Sequence, residues 1–189
     1  MTKQELRTEM LKMLKTAENT DAAVVAERIC SLSEYKEAEF ILGYVPMKSE
    51  VDISLVMDQA VSDGKTIAFP DLEVGVFRIA CPHWRDTLIT LPNKTQTVYS
   101  SDILNINRIG DRMHLSEKHK GLILVPGLAF TEFGTRLGRG AGYYDQLFDL
   151  MGNALLADFI PIGICRKTQL VEELPQQPHD KKVRMVIAF

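Results

Sequence analysis

The sequence predicts an α/β fold, a three-layer α/β/α sandwich around a mostly parallel sheet. Short apolar runs alternate with stretches of helical periodicity, and this alternation is typical of a parallel sheet covered on both faces. The run at residues 122–125, between Gly121 and Pro126, has the unbroken apolar character of a strand buried on both sides. No repeat or low-complexity linker divides the chain, so we predict a single domain over residues 1–189.

Each element is predicted from the period of its apolar residues and from the residues at its ends. At the start of the chain, Leu6, Met10 and Leu14 share one helix face, and Thr2 followed by Glu5 matches a capping box. The elements expected in chain order are helices 3–15 and 21–32, strand 39–45, helix 53–63, strands 66–69, 76–81 and 122–125, a helix from Tyr143, and strands 160–165 and 183–189. Residues 82–120 show no clear pattern.

Composition argues against several classes of protein. The chain has 189 residues, a net charge of −3, 46% hydrophobic residues and 25% charged residues, which are ordinary values for a soluble globular protein. This charge gives no general affinity for nucleic acid, and no apolar run is long enough for a membrane span. Three widely spaced cysteines and a charged N-terminus without a signal-peptide core indicate a reducing compartment, so we expect a cytoplasmic protein.

The most informative stretch follows the strand at residues 122–125. Within nine residues it contains four glycines with two arginines between them, namely Gly134, Gly138, Gly140 and Gly142 with Arg136 and Arg139. Glycine lets a ligand approach the main chain, and the helix that begins at Tyr143 offers unpaired N–H groups to an anion. Arginine adds planar, permanently charged donors. The stretch therefore predicts a polyanion site.

Asp145 lies in the first turn of this helix, where it either stabilises the helix end or holds a divalent cation against bound phosphates. Two better-known phosphate motifs are excluded. The glycine spacing from Gly138 differs by one residue from the dinucleotide fingerprint, and the residue five places before Gly64 is Gln59 where a P-loop needs glycine.

The stretch from Val125 to Asp145 resembles the signature of the 5-formyltetrahydrofolate cyclo-ligase family, also called methenyltetrahydrofolate synthetase. The matching residues are Val125, Pro126, Gly127, Phe130, Gly134, Arg136, Leu137, Gly138, Gly140, Gly142, Tyr143, Tyr144 and Asp145. Two further family motifs match near the ends of the chain, through Lys3, Leu6 and Arg7 and through Gln169, Leu174, Pro175, His179 and Asp180. The comparison therefore covers nearly the whole chain in matching order.

The resemblance implies a role for each matching position. The residues implied in ATP binding are Lys3, Arg7, Gly134, Arg136, Leu137, Gly138, Arg139, Gly140, Ala141 and Gly142. Those implied in binding the folate substrate are Met47, Asp52, Tyr143 and Tyr144, and those implied in holding Mg²⁺ are Asp145 and Asp180. The residues implied in catalysis are Arg136, Arg139 and Tyr144. The residues taken alone leave plainer alternatives. These are a solvated basic helix face for Lys3 and Arg7, a helix N-cap for Asp52, core packing for Tyr144 and a polar turn for His179 and Asp180.

The family's fold is similar to that of the ribose-phosphate isomerase and CoA-transferase group. The activity implied is the ATP-dependent conversion of 5-formyltetrahydrofolate, with or without a polyglutamate tail, to 5,10-methenyltetrahydrofolate, with release of ADP and phosphate and with Mg²⁺ as cofactor. We expect a monomer.

The chain departs from the family at two places. It has no Glu-Pro dipeptide where the family usually carries a Gly-Ile-x-Glu-Pro element, and Arg184 stands where the family commonly has a further aspartate. These departures keep a non-catalytic folate-binding paralogue as an alternative, and the anion site alone keeps a sugar-phosphate isomerase as a less favoured one. His114 and His119 are five residues apart and therefore not on one helix face, so we predict surface residues and no metal site there.

Overall fold

The computed structural model describes residues 1–71, 73–105 and 120–189, apart from the side chains of residues 153–155. The helices are α1 (Lys3–Leu14), α2 (Ala22–Cys30), α3 (Ser33–Glu37), α4 (Ser54–Ser62) and α5 (Tyr143–Asp158). The strands are β1 (Phe40–Leu42), β2 (Thr66–Pro70), β3 (Val76–Ile79), β4 (Leu88–Thr90), β5 (Gln96–Val98), β6 (Ile103–Asn105), β7 (Gly121–Pro126), β8 (Ala129–Phe130), β9 (Arg136–Leu137), β10 (Phe159–Cys165) and β11 (Met185–Ala188). The surface positions predicted for His114 and His119 lie outside the described residues.

Seven of the described strands form the central sheet, in the order β11-β10-β7-β1-β2-β3-β6. The five strands from β11 to β2 pair in parallel, whereas β3 pairs antiparallel with both β2 and β6 at one edge. Two small antiparallel pairs, β4 with β5 and β8 with β9, lie outside this sheet. The prediction of an α/β fold with a mostly parallel sheet is confirmed.

Helices cover both faces of the sheet because successive strand residues point to opposite sides. Leu122 and Leu124 of β7 pack in a core with α2 and α4, while Ile123 and Val125 of the same strand pack in a second core with α5. A smaller cluster places Leu6 and its helix α1 against β8 and β9. Burial on both faces explains why β7 is a continuous apolar run in the sequence.

The boundaries of several elements differ from the predicted ones. The first strand is only three residues long, and the helix α3 was not predicted. Helix α3 has five residues with one buried apolar side chain, Tyr35, so it shows no period that a sequence pattern can reveal. The capping box at the start of α1 is present, since Thr2 Oγ accepts the Glu5 amide and Glu5 accepts the Thr2 amide.

No helix among the described residues combines the length and the apolar character needed to cross a bilayer. The prediction of a single domain over residues 1–189 stays a prediction.

Candidate active site

A cavity of about 610 Å³ opens at the carboxyl ends of parallel strands in the central sheet. Val45 follows β1, Asp71 follows β2 and Gly127 follows β7, and all three line the cavity. In open α/β sheets, ligands bind in the crevice outside the carboxyl ends of the strands. The topology therefore places the cavity where a substrate is expected.

One wall of the cavity is the glycine loop, which we define as residues 138–142 between β9 and α5. All five residues of the loop line the cavity, as does Leu137 before them. Gly140 and Gly142 have φ values of 108° and 67°, which only glycine adopts without strain. The loop leads to the N-terminus of α5, so its main chain and the first N–H groups of the helix face the same space.

Arg136 lies beneath the glycine loop with only 5% of its side chain exposed. Its guanidinium donates to the Asp145 carboxylate at 3.2 Å and lies 5.4 Å from the centre of the Tyr144 ring. The Arg136 Nε–H is buried and has no partner among the described residues. A buried guanidinium with an unpaired N–H at a cavity wall is suited to a bound anion.

Asp180 reaches the same cavity from the segment before β11. Its two oxygens lie 2.6 and 2.5 Å from the Lys3 ammonium of α1, and one of them also accepts the Gln177 amide at 2.5 Å. Burial opposes ionisation, but the bonds from Lys3 and Gln177 outweigh it and hold the pKa of Asp180 below its ordinary value. Asp180 is therefore an anion at neutral pH. Its cationic partner is Lys3, a residue 177 positions away in sequence.

Asp145 and Asp180 are neighbours in space. The amide of Lys181, next to Asp180, donates to the Asp145 carboxylate at 3.1 Å, and both carboxylates line the cavity. In the described part of the chain, no group of three or more His, Cys, Asp or Glu residues could hold a metal ion. Mg²⁺ is commonly held by one or two carboxylates together with substrate phosphates, so the pair fits an ion that arrives with a nucleotide.

Lys3 and Arg7 on α1 both line the cavity, as the shared helix face predicts. Arg7 donates to the carbonyl of Gly138 at 3.0 Å, so this bond holds the glycine loop against α1. Arg139 extends from the loop toward the opposite wall, where it donates to the Ser49 hydroxyl at 2.5 Å and lies 3.4 Å from the Glu50 carboxylate. The glycine loop is therefore tied to two other parts of the cavity.

Glu50 is a cavity residue that the sequence did not single out. Its side chain is 7% exposed, and it lines the cavity beside Met47, whose amide donates to it at 2.9 Å. Burial raises the pKa of the Glu50 carboxyl, while the Met47 amide and the guanidinium groups of Arg139 and Arg166 oppose the rise. A buried carboxylate that faces a cavity is suited to a ligand with several N–H donors.

Asp52, by contrast, is exposed and is not among the cavity-lining residues. Its carboxylate accepts bonds from the Ser54 amide and hydroxyl at 2.8 and 2.5 Å, at the start of α4. The alternative prediction for Asp52 was the N-cap of this helix. The N-cap is Ile53, so Asp52 lies one residue before it. The folate role of Asp52 stays a prediction, and Glu50 is the carboxylate in the better place for it.

Tyr143 and Tyr144 both line the cavity and make an edge-to-face pair with ring centres 5.4 Å apart. Burial is the main cause that raises the pKa of each phenol, so both hydroxyls are protonated at neutral pH. The Tyr143 hydroxyl is buried without a hydrogen-bond partner in the described structure. Tyr144 packs on Arg136 and Phe148. It therefore lies both at the cavity, as predicted, and in the core, as the plainer alternative had it.

Gly134 is a predicted ATP-binding residue that does not line the cavity. It occupies the turn between β8 and β9 with a φ of 82°, and a Cβ placed there would lie 2.2 Å from the Val183 carbonyl oxygen. The Val183 amide also donates to the Gly134 carbonyl at 3.0 Å. The structure thus accounts for this glycine through backbone packing, and its ATP-binding role stays a prediction.

Replacing Gly134 with alanine is expected to lower the free energy of unfolding by about 2–4 kcal/mol, because a left-handed residue and a backbone clash add together. The matched control is Gly64→Ala, where φ is 73° but no atom lies within 4 Å of the new Cβ. That change should cost only about 1 kcal/mol. Urea unfolding of both variants checks the difference, and equal losses would contradict the role of the Val183 contact.

The tip of the β4–β5 hairpin forms a further wall that the sequence left unassigned. Asn93, Thr95 and Gln96 line the cavity there, and Asn93 accepts both the amide and the hydroxyl of Thr95. No charged residue of the hairpin tip lines the cavity. A two-stranded hairpin outside the main sheet has weak periodicity, so the pattern of residues 82–120 did not reveal it.

A model of the 5-formyltetrahydrofolate cyclo-ligase family matches residues 1–188. The chain belongs to this family. The cyclo-ligase relatives include proteins named 5-formyltetrahydrofolate cyclo-ligase from Mus musculus, 23% identical over 98% of this chain and 92% of the relative, and from Escherichia coli K12, 25% identical over 86% and 84%.

Solved structures show the same fold. The 5,10-methenyltetrahydrofolate synthetase of Aquifex aeolicus superposes with a TM-score of 0.76 at 24% identity, covering 100% of this chain and 90% of that one. The synthetase of Mycoplasma pneumoniae gives a TM-score of 0.68 at 18% identity, over 99% and 98%. The predicted family, fold and ligase class are therefore confirmed, and a cyclo-ligase uses ATP as co-substrate.

The cyclo-ligase cavity brings together most of the predicted site residues. The cavity-lining residues that were predicted are Lys3, Arg7, Met47, Arg136, Leu137, Gly138, Arg139, Gly140, Ala141, Gly142, Tyr143, Tyr144, Asp145 and Asp180. Gly134 and Asp52 are the two that lie elsewhere. The roles of individual residues stay predictions.

Proposed function

We propose that the protein converts 5-formyltetrahydrofolate to 5,10-methenyltetrahydrofolate at this cavity and releases ADP and phosphate. The observation that carries the proposal is one cavity that joins a glycine loop, a pair of carboxylates and a buried carboxylate, Glu50, on the facing side. The first two features suit a metal-bound triphosphate, and the third suits the N–H edge of a pterin. The match of the cyclo-ligase family model to residues 1–188 argues against the alternative of a sugar-phosphate isomerase.

The phosphates of ATP lie on the glycine loop in this proposal. The loop amides and the N-terminus of α5 supply neutral donors, and Arg136, Lys3 and Arg7 supply the positive charge. Arg136 contributes most because it is the most buried of the three and has an unpaired N–H. A buried charge acts on a phosphate more strongly than an exposed one since solvent screens it less.

Asp145 and Asp180 would hold Mg²⁺, which would offset the negative charge of the phosphates during transfer. Both carboxylates are paired in the protein alone, Asp145 with Arg136 and Asp180 with Lys3. A bound metal would replace the two cations as partner of these carboxylates, and Lys3 and Arg136 would then be available to the phosphates. Until then the bonds from Lys3 and Gln177 hold the pKa of Asp180 below its ordinary value.

The folate lies on the other side of the cavity. Glu50 accepts N–H donors of the pterin, Met47 contacts the flat ring, and Tyr143 offers an unpaired hydroxyl. The tip of the β4–β5 hairpin, with Asn93, Thr95 and Gln96, is the polar wall available to the rest of the substrate.

The reaction needs no covalent nucleophile from the protein. In the mechanism implied by the family, the formyl oxygen attacks the γ-phosphate and ADP leaves. N10 of the folate then attacks the activated carbon and loses its proton, and phosphate leaves. None of the described residues that line the cavity is a cysteine or a serine, and burial raises the pKa of Cys165 to about 12. The protein positions two substrates and neutralises charge.

The test is to mix the protein with ATP, MgCl₂ and 5-formyltetrahydrofolate and to follow the absorbance of the methenyl product. We expect the product only when ATP and a divalent cation are both present, because no three His, Cys, Asp or Glu among the described residues are grouped to retain a metal without the nucleotide. Product formation without ATP would overturn the proposal. Tight folate binding without turnover would instead identify a non-catalytic paralogue.

Four further points stay predictions. They are Mg²⁺ as the metal, a polyglutamate tail on the substrate, a monomeric state and a cytoplasmic location.

A further inference from the structure

Arg166 is a buried arginine whose guanidinium binds backbone carbonyls instead of a carboxylate. It follows β10 directly, and the whole residue is 4% exposed. Its NH1 donates to the carbonyl of Ser49 at 2.6 Å and its NH2 to the carbonyl of Glu50 at 3.2 Å. Its Nε donates to the carbonyl of Glu18 at 3.1 Å, and NH2 also lies 3.5 Å from the Asn19 side-chain oxygen.

The backbone of Arg166 is itself anchored to the wall of the cavity. The Arg166 amide donates to the side-chain oxygen of Gln169 at 2.8 Å, and the amide group of Gln169 donates to the carbonyl of Gly127 at 2.7 Å. Gln169 is 1% exposed, so these bonds are shielded from water. The guanidinium is therefore a rigid link between the end of β7 and the segment at residues 49–50.

The segment at residues 49–50 has no regular secondary structure of its own to hold it. Arg166 holds its carbonyl groups from inside the protein, while Arg139 contacts the Ser49 hydroxyl and the Glu50 carboxylate from the glycine loop. The direction of the Glu50 side chain therefore depends on the nearby Met47 amide, which donates to its carboxylate, and on two arginines that come from distant parts of the sequence. Only Arg139 lines the cavity.

We propose that Arg166 is a positioning residue of the folate subsite, which holds the Ser49 and Glu50 carbonyls so that the Glu50 carboxylate faces the cavity. The inference rests on the proposed function, because it assigns a folate contact to Glu50. Arg166 itself touches neither substrate. Its removal should therefore weaken folate binding much more than nucleotide binding, because Arg7 still holds the glycine loop when the contacts of Arg139 with residues 49–50 are loosened.

The charge of Arg166 gives the proposal a second readout. Four ionisable groups face the Glu50 carboxyl, namely Arg139 from the glycine loop, Arg166 after β10, Tyr44 after β1 and Tyr144 from α5. Burial raises the pKa of Glu50, and the two arginines oppose that rise. Without Arg166 the pKa of Glu50 rises further, so folate affinity should begin to fall at a higher pH as the solution is acidified.

The experiment measures binding of 5-formyltetrahydrofolate and of MgATP separately by calorimetry, across the acid range of pH. We expect Arg166→Met to raise the Kd for the folate about tenfold, with the Kd for MgATP nearly unchanged, since two charge-assisted bonds to the segment are lost. The pH at which folate affinity begins to fall on acidification should be higher in this variant. Arg166→Lys keeps the charge but cannot reach all the carbonyls. It should therefore return the pH dependence of folate binding to that of the unaltered protein and recover only part of the affinity.

Arg28→Met is the matched control, because Arg28 donates to the Ala188 carbonyl at 2.9 Å away from the cavity. It should change neither Kd. Should Arg166→Met fail to fold, Arg166→Lys carries the same comparison. A folded variant with unchanged folate affinity, or with equal losses for both ligands, overturns the proposal.

Glu50→Gln separates this proposal from the function on which it rests. If Glu50→Gln weakens folate binding and Arg166→Met does not, Glu50 is a folate contact and the positioning role of Arg166 is wrong. If Glu50→Gln leaves folate binding unchanged, the folate contact of Glu50 fails, and the role of Arg166 fails with it. Methenyl formation by the unaltered protein, measured beside these variants, reports on the proposed reaction independently.

Discussion

Arg136→Met should reduce turnover about a hundredfold or more, because it removes a preorganised, buried positive charge from the phosphate site. Arg136 lines the cavity with 5% of its side chain exposed, and its buried Nε–H has no partner among the described residues. Methionine keeps much of the volume and the contact with the Tyr144 ring. The Kd for MgATP should rise about tenfold to a hundredfold, the amount typical of a lost charge-assisted bond.

The same change leaves Asp145 without its guanidinium partner. Breaking a largely buried pair lowers stability, so the melting temperature should fall in the absence of ligand and recover in part when Mg²⁺ is added. The control is Arg85→Met, since Arg85 pairs with Asp58 and lies 5.0 Å from the Trp84 ring, away from the cavity. Arg85→Met should leave turnover unchanged. Wild-type nucleotide binding in a folded Arg136→Met protein would show that Arg136 has a structural role alone.

Asp180→Asn should reduce turnover by about a hundredfold and raise the Mg²⁺ concentration needed for half-maximal rate. Asparagine keeps the size and can still accept the Gln177 amide, but it removes the charge that faces Lys3. The pair is 18% and 14% exposed, so breaking it should also lower stability, as it does for the Arg136–Asp145 pair. Folate binding without nucleotide should be nearly unchanged, because Glu50 and Met47 lie on the other side of the cavity.

Two comparisons make the Asp180 result specific to the metal. Glu37→Gln breaks an exposed pair with Lys120, at 2.5 Å, outside the cavity, and should affect neither rate nor Mg²⁺ dependence. The double variant with Asp145→Asn should lose less than the sum of the single losses, since both residues act on one ion. A fall in melting temperature with an unchanged Mg²⁺ titration would mean that the Lys3–Asp180 pair is structural.

Much of the fold was predictable because its signals are local. Strand β7 is buried on both faces and is therefore uniformly apolar, and α1 begins with a complete capping box at Thr2 and Glu5. The elements that were missed have short or weak periods. Helix α3 is five residues long, and the β4–β5 hairpin has strands of three residues each.

The glycine loop was predictable for the same reason. Its glycines and arginines lie within one stretch, and a strand before it and a helix after it fix its position at the edge of the sheet. Asp145 was predictable from its place in the first turn of α5. In contrast, Gly134 belongs to the same motif but serves a turn against Val183, a contact that the motif does not encode.

The sequence by itself determined the parallel sheet, the position of the glycine loop and the family, because each rests on residues close together or on a long matching motif. Only the tertiary structure decided which carboxylate lines the cavity, since residues 47–52 have no regular period to direct their side chains. Arg166 reaches this segment from 116 residues away, and the Tyr44 hydroxyl holds the Val51 carbonyl at 3.0 Å. Together with the Met47 amide, these long-range bonds hold Glu50 at the cavity, whereas Asp52 binds Ser54 at the exposed start of α4.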